Sequence, residues 1–147
     1  MKILFDTNIV LDLLLARAPF AIPAARLFTL VDEGLMEGCV CATTVTTVDY
    51  VASKTVGRQA AQSLTRSMLE FVSIAPVDED VIRRALDARS SDFEDAVVLE
   101  AARVVSADGV VTRDRRGFSD SQIPAWLPDE LLAMIDVLED HIEVVSL

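Results

Sequence analysis

SDFEDAVVLEAARVVSADGVVTRD, residues Ser91 to Asp114, is the stretch on which the fold turns. It opens with Ser91-Asp92-Phe93-Glu94, a capping-box spelling in which the Ser91 hydroxyl is expected to cap a helix and Glu94 to reach back to it. Behind it, Ala96, Val97, Leu99, Ala101 and Val104 predict a helix that is apolar over much of its circumference. Such a helix belongs in the middle of a domain. Gly109–Val111 then reads as a short strand ending at Thr112-Arg113-Asp114.

Working outward, helices and strands alternate along the whole chain. Lys2–Phe5 reads as a buried strand and Ile9–Leu15 as a helix that ends before Pro19. Ile22–Glu33 repeats apolar residues at helical spacing (Ala25, Leu27, Phe28, Val31) and stops at Gly34. Cys39–Ala42 is a short apolar run expected as a strand. Thr44–Lys54 places Val45, Val48 and Ala52 on one helical face; Gly57 interrupts, and Gln59–Glu70 resumes as a helix. Val72–Ala75 is a strand closed by Pro76, and Glu79–Leu86 a helix. Ser119–Pro128 is expected as a polar, proline-bracketed loop, Asp129–Leu138 as a helix and Ile142–Val145 as a last strand. Strands separated by helices predict an α/β fold, a parallel sheet with helices on both faces, as a single domain over residues 1–147. Ligands in such sheets bind beyond the carboxyl ends of the strands, here just after Phe5, Ala42 and Val111.

Composition narrows the class. Just over half of the 147 residues are apolar (52%), so a core can form and disorder is not expected. No apolar run approaches the roughly 20 residues of a membrane span. The Met1-Lys2-Ile3 start lacks the pattern of a signal peptide, so a cytoplasmic location is expected. Cys39 and Cys41 share one strand face, are poorly placed to bridge, and read as buried structural thiols. A net charge of −11 argues against nucleic-acid binding by bulk electrostatics, while leaving room for a nuclease that relies on metal ions and a few arginines.

Two of the predicted strand ends carry an aspartate, Asp6 and Asp114. Asp92 and Asp95 lie three apart at the start of the buried helix and share a face. Asp49 lies about one turn into the helix after Cys39–Ala42. Each acid also has an ordinary reading: Asp6 as a helix cap, Asp92 as a first-turn acid, Asp49 as a solvated helix residue, Asp114 as a turn residue. Their convergence carries the functional expectation. Carboxylates meeting at one sheet edge repel and call for a cation. Oxygen ligands without His or Cys select Mg²⁺ or Mn²⁺ over Zn²⁺, and such ions serve phosphodiester cleavage. His141, the only histidine, has no partner Ser or Cys motif.

Phe5-Asp6-Thr7-Asn8-Ile9 with Leu11-Asp12, Thr43–Lys54 with Asp49 ahead of Val51, Asp92-Phe93-Glu94-Asp95-Ala96, and Val111-Thr112-Arg113-Asp114 with Phe118 together resemble a PIN domain, in the VapC-type subgroup with the Asp-Phe-Glu-Asp spelling. The resemblance covers Lys2 to Phe118. It implies a three-layer α/β/α fold and a Mg²⁺- or Mn²⁺-dependent ribonuclease. It also implies the toxin of a toxin–antitoxin pair, often dimeric and silenced by a small antitoxin. By position, Asp6, Asp49, Asp95 and Asp114 match the family's acids, with Asp6, Asp95, Asp92 and Asp114 around the metal. Asn8 and Thr112 match polar residues lining the site. Arg113, Arg115 and Arg116 lie near it in sequence and are candidates for holding phosphates of an RNA substrate; a solvated turn is their ordinary reading. Two departures stand out: Asp49 replaces the usual Glu, and Gly117 stands where another Asp often precedes the Phe.

Other classes fit less well. A non-catalytic PIN-like module for protein or RNA binding is compatible with the shortened Asp49. A response-regulator receiver has no place for the Asp92–Asp95 pair. A haloacid-dehalogenase-type phosphatase would need an Asp where Asn8 stands.

Overall fold

Ile3, Leu4 and Phe5 have no exposed surface, which places their strand, β1 (Lys2–Phe5), at the centre of a parallel sheet. The computed structural model describes residues 1–119 and 121–146; Asp120 of the expected loop and Leu147 of the expected domain lie outside the described residues. β2 (Glu37–Cys41) pairs with one side of β1, with Leu4 opposite Cys39. Outside it lies β3 (Ser73–Ala75). β4 (Gly109–Val111) pairs with the other side, with Phe5 opposite Val111, and β5 (Ala125–Trp126) forms that edge. The order is β3-β2-β1-β4-β5, with every pairing parallel.

Strand alternation sends successive side chains to opposite faces, and two cores result. Ile3, Phe5, Val40 and Val111 pack on one face with α1 (Thr7–Leu14), α2 (Ala21–Asp32), α3 (Ala42–Val56) and α7 (Pro128–Ser146). Leu4, Cys39, Cys41 and Val110 pack on the other with α5 (Glu79–Asp87) and α6 (Phe93–Val104). α4 (Arg58–Met68) lies against α3. The expected three-layer α/β/α architecture holds. Both cysteines are buried and reduced on one face, as read from their spacing.

Three local expectations are corrected. α6 is capped by Asp92, whose Oδ1 accepts the backbone N–H of Asp95 at 3.0 Å, and not by Ser91. A carboxylate is the stronger acceptor at a helix N-terminus, where the dipole also favours it. The helix then begins at Phe93, which leaves Glu94 too early to complete a capping box. Ile142–Val145 is the end of α7, not a strand. Its β-branched residues are exposed, and a strand there would need a ladder partner, whereas a helix satisfies its own backbone. Finally, the loop ending at Pro128 contains β5. Its backbone bonds, Val110 N–H to the Pro124 carbonyl (2.9 Å) and Thr112 N–H to the Trp126 carbonyl (3.0 Å), are long-range. Proline beside so short an edge strand is tolerated because its missing donor can face away from the sheet. Trp126 anchors this edge by laying its indole over Gly109, where any Cβ would collide with the ring.

The connectivity matters for the site. From β1 the chain steps outward through β2 and β3, then returns past β1 to form β4. The crevice between the carboxyl ends of β1 and β4 is therefore the topological switch point, where open α/β sheets bind ligands. α1 starts there, directly after β1. α6, which feeds β4 from the opposite end, brings its N-terminus to the same edge.

Candidate active site

Asp6 directly follows β1 and caps α1: its Oδ1 accepts the Thr7 N–H at 2.8 Å. Its Oδ2 accepts the Thr112 hydroxyl at 2.8 Å, and Thr112 is fully buried just after β4. The Asp6 backbone N–H donates to the Val111 carbonyl at 3.0 Å. The ordinary reading of Asp6 as a cap and the functional one are thus compatible: one oxygen caps while the carboxyl group lies at the switch point. Burial pushes the Asp6 carboxyl up. The Thr112 and Thr7 hydrogen bonds oppose that shift, and the charges of Asp92 and Asp114 add to it.

Asp95, in the first turn of α6, is the most perturbed carboxyl. It is pushed up to about 7, first by burial and then by Asp6, Asp92, Glu94 and Asp114. Glu94 is also raised, by burial and by Asp6 and Asp92. Glu94 is the member that the capping-box reading misassigned; its place in the Asp-Phe-Glu-Asp run was the available signal. The Asp95 carboxylate rests against the bare Cα of Gly117, in a 3-10 turn spanning Arg116–Phe118. A side chain at position 117 would occupy the space of the carboxylate. The glycine, a departure from the family pattern, is therefore matched to the Asp95 position.

Asp114 has a different environment. Both its oxygens accept from the Arg116 guanidinium, and Oδ1 also accepts the Arg116 N–H at 3.1 Å. These bonds hold it down at about 2. Asp92 spends one oxygen on its cap and keeps the other. Asp49 is half-buried in α3 and is not among the charges acting on Asp6, Glu94 or Asp95. The N-terminus of α3 is tied to the site by the Thr7–Thr44 hydroxyl pair at 3.0 Å. Asp49 lies five residues further along, about 7.5 Å down the helix axis.

The remaining candidates mostly hold the β4 loop. The Asn8 Oδ1 accepts the Arg113 N–H at 3.3 Å. Arg113 donates two hydrogen bonds to Asp12, at 2.7 and 3.1 Å, and its guanidinium lies 4.0 Å over the Phe20 ring. Asp12 is fully buried, so this pair clamps the loop carrying Thr112 and Asp114 onto α1. Reading the residues alone gave Asp12 no role, since its partner is 101 positions away. Its signal was an acid directly after Ile9, Val10 and Leu11. Arg115 pairs with Glu130 at 2.9 Å and Arg116 with Asp114. His141 lies exposed on α7, its Nδ1 3.0 Å from the Val137 carbonyl of the same helix.

Carboxylate oxygens without His or Cys form a donor set suited to a hard divalent cation; burial first, and neighbouring acids second, disfavour the charged forms of Asp6 and Asp95, a cost that such a cation would relieve. Among the described residues, no three acidic, His or Cys side chains already stand close enough to enclose an ion. The residues fit the ion by chemistry and charge, with Asp114 held by Arg116.

A parallel α/β/α domain with a carboxylate cluster at its β1–β4 switch point is the class that fold and site define. The chain belongs to the PIN-domain family, whose model matches residues 2–116. Among solved structures it is similar to a toxin–antitoxin complex from Klebsiella pneumoniae (TM-score 0.65, 23% identity, 85% of this chain and 96% of that one). It is also similar to a DNA-bound VapBC from Salmonella typhimurium (TM-score 0.68, 14% identity, 87% and 98%). A third similarity is to a sarcin–ricin-loop-cleaving toxin from Mycobacterium tuberculosis (TM-score 0.64, 17% identity, 81% and 95%). None of the curated proteins matches the chain in sequence. No helix among the described residues is long and apolar enough to cross a membrane.

Proposed function

We propose that this PIN domain is a metal-dependent ribonuclease, acting in the cytoplasm as the toxin of a toxin–antitoxin pair. The observation that carries the reading is that Asp6, at the switch point, and Asp95 are both raised, by burial and by neighbouring acids, with Asp92 and Asp114 acting on both. Family membership supports the reading, as do the toxin–antitoxin titles of its structural neighbours.

Asp6 and Asp95 would hold the principal Mg²⁺ or Mn²⁺, with Asp92 or Asp114 completing its surroundings. When bound, the ion supplies Lewis acidity toward a phosphodiester and offsets the charge of the carboxylates. The chain's own residues do the rest. Thr112 orients the Asp6 carboxylate by donating to Oδ2, and Gly117 leaves the space in which Asp95 sits. The raised Asp95 carboxyl would give up its proton as the ion binds. Asp49 contributes at longer range, and Asn8 keeps the loop after β4 in place. Arg115 and Arg116, on the exposed rim, can exchange their carboxylate partners for RNA phosphates. Arg113 is committed to Asp12 and acts by positioning. The acidic surface, with a net charge of −11, suits a basic antitoxin segment, and a homodimer is part of the same reading.

The test is cleavage of single-stranded RNA by the purified protein with Mg²⁺ or Mn²⁺ against a chelator, beside folded Asp6→Asn and Asp95→Asn variants. Activity is expected only with metal, and each variant should lose at least about a hundredfold. Full-rate cleavage by both variants would overturn the assignment.

A further inference from the structure

Beside these acids lies a recess of about 330 Å³ whose Arg89, Glu100 and Arg103 have no part in the mechanism above. That is within the range of small-ligand pockets. Arg116 and Gly117 line one wall, so it adjoins the Asp95 carboxylate across a single residue. Arg89 and Arg103 line it as well. Glu100 also lines it, one turn along α6 from Ala96, although only 8% of its surface is exposed. Among the described residues the Glu100 carboxylate accepts no hydrogen bond and forms an ion pair with Arg103, whose Nε stands 3.7 Å from Oε1. Because no buried side-chain oxygen of the described residues lacks a partner, the free acceptors of this carboxylate are open to the recess and its solvent.

We propose that this recess is a guanine-reading subsite for the nucleotide next to the scissile phosphate. The proposal rests on the ribonuclease reading and adds its base preference. An ionised carboxylate only accepts, through two oxygens side by side. Among the four RNA bases, guanine alone offers two adjacent N–H donors on its Watson–Crick edge, N1–H and the N2 amine. Adenine and cytosine set one amine beside a ring nitrogen acceptor, and uracil sets one imide N–H between two carbonyls. These acceptors would face the carboxylate repulsively. Arg89, Arg103 and Arg116 supply cations for the phosphates on either side of the base. Single-stranded RNA, whose bases can be splayed out, is the substrate form that could present a Watson–Crick edge here.

The experiment measures binding to the intact protein in chelator, so that no cleavage is required. Guanosine, adenosine, cytidine and uridine 5′-monophosphates are titrated by NMR. Short single-stranded RNAs with or without one guanine are titrated in parallel. Guanosine monophosphate is expected to bind roughly ten- to a hundredfold tighter than the others, moving the amides of Glu100, Arg103 and Gly117. Glu100→Gln, an isosteric change, should shrink that preference to within about twofold, because its amide replaces one acceptor by a donor. A guanine-containing RNA should bind tighter than the mononucleotide. Equal binding of the four nucleotides by the unaltered protein overturns the proposal whether or not the variant folds. So does a preference that survives in Glu100→Gln, or a mononucleotide that outcompetes the RNA. Metal-dependent cleavage without guanine preference would sink the subsite and leave the nuclease standing; guanine preference without cleavage would do the reverse.

Discussion

Replacing Asp95 by Asn separates the electrostatics of the site from its chemistry. Moving a carboxyl from 3.8 to about 7 would correspond, at full burial, to about 4 kcal/mol of disfavoured charge. Asp95 is only half-buried, so solvent screening reduces this to about 1–2 kcal/mol. Losing the favourable interaction of an acid with the α6 N-terminus costs up to about 1 kcal/mol in return. A net gain near 1 kcal/mol at pH 8 without metal is therefore expected, or roughly 3 °C in melting temperature for a chain of this size. The pH dependence is the sharper signature. With its pKa raised by folding, Asp95 holds a proton in the native chain that the unfolded chain releases between about pH 4 and 7. Wild-type stability should thus fall as pH rises through that window. Asp6 and Glu94, also raised, act in the same sense. Thermal unfolding in chelator at pH 4.5, 6 and 8 checks this. The Asn variant should show a shallower decline and be the more stable protein at pH 8, while losing metal-dependent cleavage. A wild-type curve that stays flat or rises over the window, or a variant less stable than wild type at pH 8, would refute the claim that burial and neighbouring acids disfavour the charged Asp95.

Two further outcomes test the supports of the site. Gly117→Ala sets a Cβ on the Asp95 carboxylate; overpacking of this kind costs about 1–3 kcal/mol, and cleavage should fall at least about tenfold, measured beside a denaturant titration. Arg113→Met leaves the fully buried Asp12 without its partner and should cost about 3–5 kcal/mol by urea unfolding. Adding Asp12→Leu should restore part of that loss; if the double variant is no more stable than the single, the clamp is not the reason for the loss.

Much of the fold was legible because it is local. Three consecutive buried residues after Lys2 specify β1, and the 3.6-residue spacing behind Phe93 specifies α6. The misreadings have a common cause. Ile142, Val144 and Val145 have strand-forming side chains, yet α7 simply continues through them with these side chains exposed. Ala125–Trp126 has no strand signal at all and becomes β5 only by hydrogen bonding with β4. Whether a segment is a strand depends on its partner, and a partner far along the chain leaves no local trace.

The candidate aspartates divide in the same way. The sequence by itself determined which acids stand at the strand end and the helix head, Asp6, Asp92 and Asp95, because caps and termini are set by residues a few positions apart. Only the tertiary structure decided how they differ. Asp95 is raised because packing against Gly117 buries it and the fold brings Asp6 within range. Asp114 is lowered because Arg116 grips it, and Asp49 stands further down its helix. Charge interactions act across space rather than along the chain, so the ranking of the acids came with the packing.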